Sequence, residues 1–414
     1  MRSICVLALL LLSARWAAAA QPPAAPVGKP PVRAITVFVD LDAAHYAQQA
    51  EASIKQLHEA QALFEQAGFT VQTLRITTQP FMRYAGGLPR AQALALLRQL
   101  GHLGHQGNLM LNIGPAVLDD QPDPRALDLL EAVQSGPEAP NASMHVAGED
   151  GIHWHTVRAA AHHIVRVAAR SPRGEGTFAF AATAMQGPGG PFYPGSWHEG
   201  QGGRFSVGLE SASVVAAVFA RSPGDAPRAL GELRSALGLY AQQVERIARD
   251  IEARTGLKYW GFDPTAAPGR GYSIGRAIEA FTGAKLGSPG TLTAAYVITE
   301  AQKQLPGPRV GYAGLMLPVM EDELIAQRWS ERTISLDSLL SYSSVCGTGL
   351  DTVPLPGDVT EAQVARIVGD VAALAYKWKK PLTARLQPAP GRSAGQMSSF
   401  ADPLLVNARL QAVH

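Results

Sequence analysis

Residues 341–358, SYSSVCGTGLDTVPLPGD, are the stretch of this chain that is most informative about its fold and its function. Gly347 and Gly349 can adopt backbone angles that other residues avoid, while Pro354 and Pro356 fix φ. The content of Gly, Pro, Ser and Thr predicts a loop, yet four apolar residues within it indicate burial. We therefore expect an ordered loop packed against a core, where functional loops are often found.

The same segment holds Cys346, one of two cysteines in the chain. The other, Cys5, would be removed with an N-terminal signal peptide. Cys346 then has no intramolecular disulfide partner, so it is a core residue, an intermolecular bridge or a reactive thiol. N–H groups of Gly347, Thr348 and Gly349 would lower its pKa and bind an anion. The alternative is a buried structural cysteine, because Cys packs as a small apolar residue.

Several further motifs accompany this segment, and together they resemble an uncharacterised prokaryotic family, domain-of-unknown-function family 711. They are FSVGLESA (205–212), GTL (290–292), GYAGLMLPVMED (311–322) and KPLTARLQPAPGRSAG (380–395). The resemblance implies a fold similar to the glycyl-radical enzymes typified by pyruvate formate-lyase, in which a ten-stranded α/β barrel encloses a loop bearing the active cysteine. It implies no established reaction.

Glycyl-radical chemistry is not expected from the sequence, although the barrel is. The enzymes that this family resembles carry a loop similar to Arg-Val-x-Gly-Tyr downstream of the cysteine. Here Arg309-Val310-Gly311-Tyr312 is one residue shorter and lies upstream of Cys346. A glycyl radical is also destroyed by oxygen, which an exported protein would meet. Fold and chemistry are therefore separate expectations.

Bulk composition limits the classes of function. A chain of 414 residues with 46% hydrophobic residues can bury a large core, as one α/β barrel or two closely packed domains. Its 36 basic and 34 acidic residues give a formal net charge of +2. Since no Lys/Arg-rich block is interleaved with aromatic residues, we expect no nucleic-acid partner.

The N-terminus predicts export to the periplasm or the medium. Residues 1–20 combine a basic start, an apolar run and a small-residue cleavage site near Ala20/Gln21, and the run is too short to span a membrane. An uncleaved membrane anchor is the alternative. Residues 21–31 read as a Pro/Ala-rich linker and 32–414 as one barrel domain, with a sub-boundary or active-site loop at 186–203. No transmembrane segment is expected after cleavage.

Alternating strand and helix patterns predict an α/β sheet or barrel. Strands are predicted at 32–39, 69–76, 108–113, 143–146, 177–185, 259–263, 311–319 and 382–386. Helices are predicted at 45–66, 89–103, 124–134, 153–169, 226–255, 273–281 and 291–304, with two more starting at 321 and 360.

Acidic residues that end apolar runs are predicted to converge at one rim of the sheet, where they can act as general acid and base or hold a hard cation. They are Glu210, Asp263, Glu279, Glu321, Asp322, Asp351 and Asp358. Each also has a simpler interpretation: Asp358 and Glu321 favour helix starts, and Asp263 precedes Pro264 as a turn residue.

The leading hypothesis is a thiol-dependent enzyme that acts on a small anionic or carbonyl substrate in a pocket around the Cys346 loop. Its predicted catalytic residues are Cys346, Asp351 and His198. Its predicted substrate-binding residues are Gly347, Thr348, Gly349, Arg385, Glu210, Asp358, Glu321 and Asp322, with Arg385 binding the anionic group. The second hypothesis is a catalytically silent periplasmic ligand-binding or scaffold protein.

Histidines 153, 155, 162 and 163 lack metal-ligand spacing, so no metal site is predicted. The sequence assigns no cofactor. The expected partner is a small-molecule ligand, and homo-oligomerisation stays open.

Overall fold

The computed structural model describes residues 28–106, 109–269 and 271–414. The predicted signal peptide and residues 21–27 of the predicted linker lie outside these ranges. The last linker residues contact the domain, since the ammonium group of Lys29 bonds the carbonyl oxygen of Ala67 and lies 4.9 Å from the ring centroid of Phe69.

All described strands belong to one ten-stranded sheet. The strands are β1 Val32–Val39, β2 Val71–Thr78, β3 Leu109–Val117, β4 Asn141–Gly148, β5 Gly151–Ile152, β6 Phe180–Ala184, β7 Arg204–Leu209, β8 Lys258–Asp263, β9 Gly349–Pro356 and β10 Leu382–Ala389. Their order is β8-β7-β1-β2-β3-β4-β6-β10-β9, with β5 paired to β4. The predicted α/β class is confirmed.

The sheet consists of strand sets that run in opposite directions. Strands β1, β2, β3, β4 and β6 are mutually parallel. Strand β7 is antiparallel to β1, and β10 is antiparallel to β6, while β8 and β9 run parallel to β7 and β10. Carboxyl ends of strands, where α/β proteins place their ligands, therefore lie at both ends of the sheet.

Twelve α-helices surround the sheet within the described ranges. They are α1 Tyr46–Gln66, α2 Met82–Ala85, α3 Arg90–Leu103, α4 Pro124–Gln134, α5 Trp154–Arg170, α6 Ala212–Arg221, α7 Ala226–Thr255, α8 Ile274–Thr282, α9 Thr291–Lys303, α10 Glu323–Ser330, α11 Leu336–Ser343 and α12 Glu361–Trp378. Their buried faces and the strands share one main hydrophobic core. In the described part of the chain, none of these helices is both long and apolar enough to cross a membrane.

Residues 341–358 differ from the predicted loop. Helix α11 extends into the segment, and β9 occupies its second half with all eight residues buried. Pro354 and Pro356 misled the prediction. Prolines are tolerated in a strand at the end of the strand order, and β9 has that position in this sheet. The expected positive φ is confirmed at Gly349, where φ is +90° and a Cβ atom would collide with the carbonyl oxygen of Thr383.

The strand predicted at 311–319 is also wrong as a regular strand. Gly311 and Ala313 have φ of +72° and +45°, which interrupts extended pairing. Residues 309–319 instead form isolated parallel bridges, from Arg309 to Phe262 on one side and from Pro318 to Asp351 on the other. This bridging segment, residues 309–319, thus contacts both β8 and β9.

Candidate functional site

One face of the sheet is polar and is covered by the loop between β6 and β7. Thr36 lies opposite Arg75 on β2 and Ser206 on β7, so the three side chains share this face. The carbonyl oxygen of Pro191 accepts hydrogen bonds from Thr36 Oγ1 at 3.2 Å and from Arg75 Nη1 at 3.0 Å. We call this surface the polar face.

Residues 186–203, the covering loop, bond along the neighbouring strands. Asn112 Nδ2 donates to the Pro194 carbonyl at 2.6 Å, Thr77 Oγ1 donates to the Tyr193 hydroxyl at 3.0 Å, and the N–H of His198 donates to the Thr78 carbonyl at 3.0 Å. The segment predicted as a sub-boundary or an active-site loop is therefore an ordered loop on the polar face.

Arg75 is a buried cation with no carboxylate within ion-pair distance among the described residues. Its side chain donates to Thr73 Oγ1 at 3.1 Å and to the Pro191 carbonyl, and its guanidinium carbon lies 4.8 Å from the ring centroid of Tyr193. Burial lowers the pKa of Arg75 to about 10, with Arg33 acting in the same direction. Arg75 therefore stays protonated at neutral pH.

Beside Arg75 lies an arginine–carboxylate network formed by Arg33, Arg385, Glu210, Glu321 and Asp351. Arg385 Nη1 bonds Asp351 Oδ1 at 2.8 Å and Glu321 Oε1 at 3.0 Å. Arg33 pairs with Glu210 at 3.3 Å and with Glu321 at 3.8 Å. Glu321 therefore links the two arginines.

Burial changes the proton affinity of this network. It raises the pKa of Asp351 to about 6 although Arg385 opposes the change, and it raises the pKa of Glu210 against the pull of Arg33. Burial would lower the pKa of Arg385, but Asp351 and Glu321 raise it. Asp351 can therefore gain and lose a proton near pH 6 beside a permanent cation, which suits acid–base chemistry.

Four predicted site residues come together in this network: Arg385, Asp351, Glu210 and Glu321. The other two acidic residues predicted to bind substrate lie elsewhere. Asp322 caps α10 by accepting from the N–H groups of Leu324 and Ile325. Asp358 is exposed just before α12.

His198 is placed apart from the network. Its ring is fully buried between Phe38 and Trp260, with ring centroids 6.2 and 5.8 Å away, and burial lowers its pKa to about 4. Neither ring nitrogen has a hydrogen-bond partner among the described residues. The structure joins it neither to Cys346 nor to Asp351 by a hydrogen bond within the described ranges.

Cys346 lies in the main hydrophobic core and is 1% exposed. Its N–H donates to the Tyr342 carbonyl at 2.8 Å, and the Lys380 ammonium group bonds its carbonyl oxygen. Gly347 and Thr348 both bond the carbonyl oxygen of Leu315, so this turn is held against the bridging segment. Among the described contacts, none connects the thiol to the arginine–carboxylate network.

Sequence reasoning missed Arg33 and Arg75. Arg75 interrupts a strand of otherwise apolar and threonine residues, TLRITT, and arginine is almost never fully buried unless it is paired. That pattern could have marked it as a candidate. Arg33 carries no such signal, because its carboxylate partners, Glu210 and Glu321, are 177 and 288 residues away in sequence.

No group of three or more His, Cys, Asp or Glu side chains within the described ranges is arranged to hold a metal ion. All four histidines considered above have other partners. His153 bonds the His145 carbonyl and Asp150, His162 pairs with Glu361 at 2.9 Å, His155 bonds Arg158 at 3.1 Å and His163 bonds Gln134 at 2.7 Å. A cleft of about 470 Å³ lined by Trp329, Arg366 and Asp370 does not include the network residues.

Comparison with known proteins identifies relatives across most of the chain. The family model described as "Uncharacterised ACR (DUF711)" matches residues 28–401. A UPF0210 protein of Pyrobaculum aerophilum is 33% identical over 226 residues, covering 52% of this chain and 50% of that protein. A UPF0210 protein of Pyrobaculum arsenaticum is 31% identical over 64% of this chain and 61% of its own length.

A more extended match is to a UPF0210 protein of Methanocaldococcus jannaschii, which is 25% identical over 82% of this chain and 79% of its own length. The chain thus spans half to about three fifths of the two Pyrobaculum proteins and more of the methanogen protein. The resemblance inferred from the sequence motifs is confirmed at the level of the family. The chain is a member of the uncharacterised DUF711 (UPF0210) family.

Proposed function

We propose that this protein binds a small anionic molecule on the polar face, with Arg75 as its counter-ion. The observation that carries the proposal is a buried guanidinium without a carboxylate partner among the described residues. Burying a charge without an opposite charge nearby costs free energy, and a bound carboxylate or phosphate would offset that cost. The anionic oxygen would replace the Pro191 carbonyl as the acceptor from Arg75.

Asp351 would then supply acid–base chemistry next to the bound anion. Its pKa near 6 and its contact with Arg385 support proton transfer to or from a carbonyl or hydroxyl group of the ligand. In this form the protein is an enzyme that acts on a small anionic or carbonyl substrate. A catalytically silent binding protein would use the same site without turnover.

Metabolite capture tests this proposal. Purified wild-type protein, Arg75→Met and Arg98→Met are incubated with a cell extract, and native mass spectrometry identifies the retained small molecules. Arg98 is an exposed arginine on α3 and serves as the matched control. We expect wild type and Arg98→Met to retain an anion that Arg75→Met does not. Equal retention by all three proteins would overturn the proposal.

Arg75→Lys is a second variant for this experiment. It keeps the charge but loses the planar pair of donors, so we expect weaker retention than in wild type and stronger retention than in Arg75→Met. Incubation of the retained molecule with wild-type protein then separates an enzyme from a binding protein, because only the former yields a product.

A thiol-dependent reaction at Cys346 is a second candidate function. The half-buried Lys380 ammonium group, which bonds the carbonyl oxygen of Cys346, favours it, since a nearby cation stabilises a thiolate. Thiol reagents should then modify Cys346 rapidly in the native protein, and Cys346→Ser should abolish turnover. Slow modification, together with an active Cys346→Ser variant, would leave Cys346 as a core residue.

The ten-stranded barrel and the export remain parts of the proposal. Parallel bridges from the bridging segment to both β8 and β9 support closure of the sheet into a barrel similar to that of glycyl-radical enzymes. The pattern of residues 1–20 supports export with cleavage near Ala20/Gln21. N-terminal sequencing of the protein from the cell envelope should return Gln21 or a neighbour, and Met1 would contradict export with cleavage.

A further inference from the structure

A second group of polar atoms on the polar face lacks hydrogen-bond partners. Among the described residues, Ser143 Oγ, Arg385 Nε and both amide atoms of Gln387 are buried and unpaired. Gln387 is fully buried, and burying an amide without hydrogen bonds costs free energy at both its donor and its acceptor. These atoms therefore require partners that the protein itself does not supply.

Strand register places these residues around one small side chain. Ser143 on β4 lies opposite Ala181 on β6. On the other edge of β6, Ala384 of the antiparallel strand β10 lies opposite Ala182, so the register continued by one residue places Arg385 opposite Ala181. Ser143 and Arg385 thus flank a methyl group, about 10 Å apart across two strand spacings. Gln387 follows on the same face of β10, about 7 Å further along. We call Ser143, Arg385 and Gln387 the amide subsite.

The amide subsite adjoins the arginine–carboxylate network. Arg385 belongs to both, since its Nη1 atom bonds Asp351 and Glu321 while its Nε atom has no partner among the described residues. Arg75 is linked to this network through Thr73, whose Oγ1 accepts from Arg75 Nε at 3.1 Å and donates to the carbonyl oxygen of Arg33 at 2.6 Å. A molecule held by Arg75 can therefore extend towards Gln387.

The chemistry of the unpaired atoms selects the group that fits. Gln387 offers one acceptor and two hydrogens on its donor nitrogen, Arg385 Nε offers a donor, and the Ser143 hydroxyl can act as either. A carboxylate only accepts, so it would leave the Gln387 carbonyl oxygen unpaired. A carboxamide or a hydroxyl group can donate to the Gln387 carbonyl oxygen and also accept from a donor of the subsite, so either group pairs the atom that a carboxylate leaves unpaired.

We infer that the ligand is a small acid bearing an uncharged carboxamide or hydroxyl group, with its anionic group at Arg75 and its uncharged group at the amide subsite. This inference rests on the proposed function, because it assigns the anion to Arg75. It adds the class of ligand and the residues that select it. Ordered water filling the amide subsite is the competing account.

Isothermal titration of the full protein with matched probes tests the inference. Malonamate, succinamate and glutaramate carry one carboxylate and one carboxamide, while malonate, succinate and glutarate carry a second carboxylate at the same lengths. We expect at least one monoamide to bind about tenfold more tightly than its dicarboxylate, since one satisfied amide pair is of that order. Gln387→Leu should abolish that ratio, because neither probe can then pair with the Gln387 amide.

Two variants control this experiment. Gln48→Leu changes an exposed glutamine on α1 and should keep the ratio of wild type. Ser143→Ala removes one hydroxyl without adding bulk and should reduce the ratio, which keeps the test valid if Gln387→Leu does not fold. Suppose that both probe types bind equally and that neither subsite variant has an effect. Only ordered water then fills the amide subsite, which would overturn the inference and leave the anion site at Arg75 unaffected.

Failure of the inference and failure of the proposed function are therefore distinguishable. If wild type binds none of the six probes, the assigned ligand class is wrong, and metabolite capture with Arg75→Met decides the proposed function separately. If the monoamides bind preferentially but Arg75→Met binds them as wild type does, the anion is not at Arg75 and both proposals are wrong.

Discussion

At the scale of single residues, two buried arginines on neighbouring parts of the polar face should respond to substitution in opposite ways. Arg75 has no carboxylate partner among the described residues, whereas Arg385 contacts both Asp351 and Glu321. Replacing a buried charge by an apolar side chain can stabilise a fold, but removing one partner of a buried pair leaves the other uncompensated. Arg75 thus has the character of a residue retained for function at a cost in stability.

The first prediction follows from this contrast and is measured by urea unfolding. Arg75→Met should leave the free energy of unfolding unchanged or raise it by about 1 kcal/mol, because a desolvated charge is removed. Arg385→Met should lower it by about 3–5 kcal/mol, because buried Asp351 loses its cation and half-buried Glu321 loses one of its two. A larger loss in Arg75→Met than in Arg385→Met would show that Arg75 is structural.

The second prediction concerns Asp351 and pH. Burial favours its protonated form, with a pKa of about 6 in the fold against an ordinary value of 3.8. Its contribution to stability is therefore complete below pH 3.8 and is lost as pH rises through 6. Ionised Asp351 also repels a bound anion, so anion affinity should fall over the same rise in pH.

Titration with methanesulfonate measures this affinity, because the charge of the probe is constant between about pH 4 and pH 8. Asp351→Asn should bind it with little change across that range. A variant that keeps the pH dependence of wild type would assign the titration to another group.

The third prediction concerns Gly349, where φ is +90° and the backbone lies against Thr383. Gly349→Val should cost about 1–3 kcal/mol, because a β-branched residue is strained at this φ. Gly231→Ala is the control, since that glycine lies within α7 with open space around it, and alanine there should raise stability by about 0.5–1 kcal/mol. A Gly349→Val variant as stable as wild type would show that the turn relaxes freely.

At the scale of elements, local sequence signals predicted helices better than strand pairing. Ser273 caps α8, the Thr360–Gln363 capping box opens α12, and Gly256 and Gly283 end their helices in the left-handed conformation. These signals act within a few residues. Strand β9 was missed because its prolines are acceptable only at its position in the sheet, which depends on residues far away in sequence.

The same reason limits prediction of the site. Asp351, Arg385, Glu210 and Glu321 were identified because each interrupts or ends an apolar run in a recognisable motif. Their association with Arg33 and Arg75 depends on the pairing of β1 with β2 and β7, which no local pattern encodes. Sequence reasoning named His198 as an acid–base candidate, and its burial between the Phe38 and Trp260 rings likewise depends on residues far away in sequence.

The fourth prediction concerns Asp322, which joins two helices. Its carboxylate caps α10 and also accepts from Ser273 Oγ at 2.7 Å, the residue that caps α8. Asp322→Ala should lower the free energy of unfolding by about 2 kcal/mol, the upper end for a cap. Asp225→Ala removes an exposed cap of α7 and should cost about 0.5–1 kcal/mol. Equal costs would mean that Asp322 acts as an ordinary cap.

At the scale of the whole molecule, the bridging segment determines whether the sheet is open or closed. The Val310 N–H donates to the Phe262 carbonyl at 3.2 Å, and the Val319 N–H donates to the Asp351 carbonyl at 2.9 Å. Asp263 holds the middle of the segment by accepting from the N–H groups of Tyr312 at 2.8 Å and Ala313 at 3.1 Å. Burial raises the pKa of Asp263 to about 6 against these hydrogen bonds.

The last prediction tests closure by hydrogen exchange of backbone amides. If the segment closes the sheet, Val310 and Val319 should exchange as slowly as β8 and β9, because opening either edge would disrupt both. Asp263→Ala should accelerate exchange at Tyr312 and Ala313 directly, and at Val310 and Val319 through loss of the segment's anchor. Exposed Asp250→Ala on α7 should change none of the four. Fast exchange at Val319 in the wild-type protein would mean that β9 is a free edge, because a closed barrel leaves no strand edge unpaired.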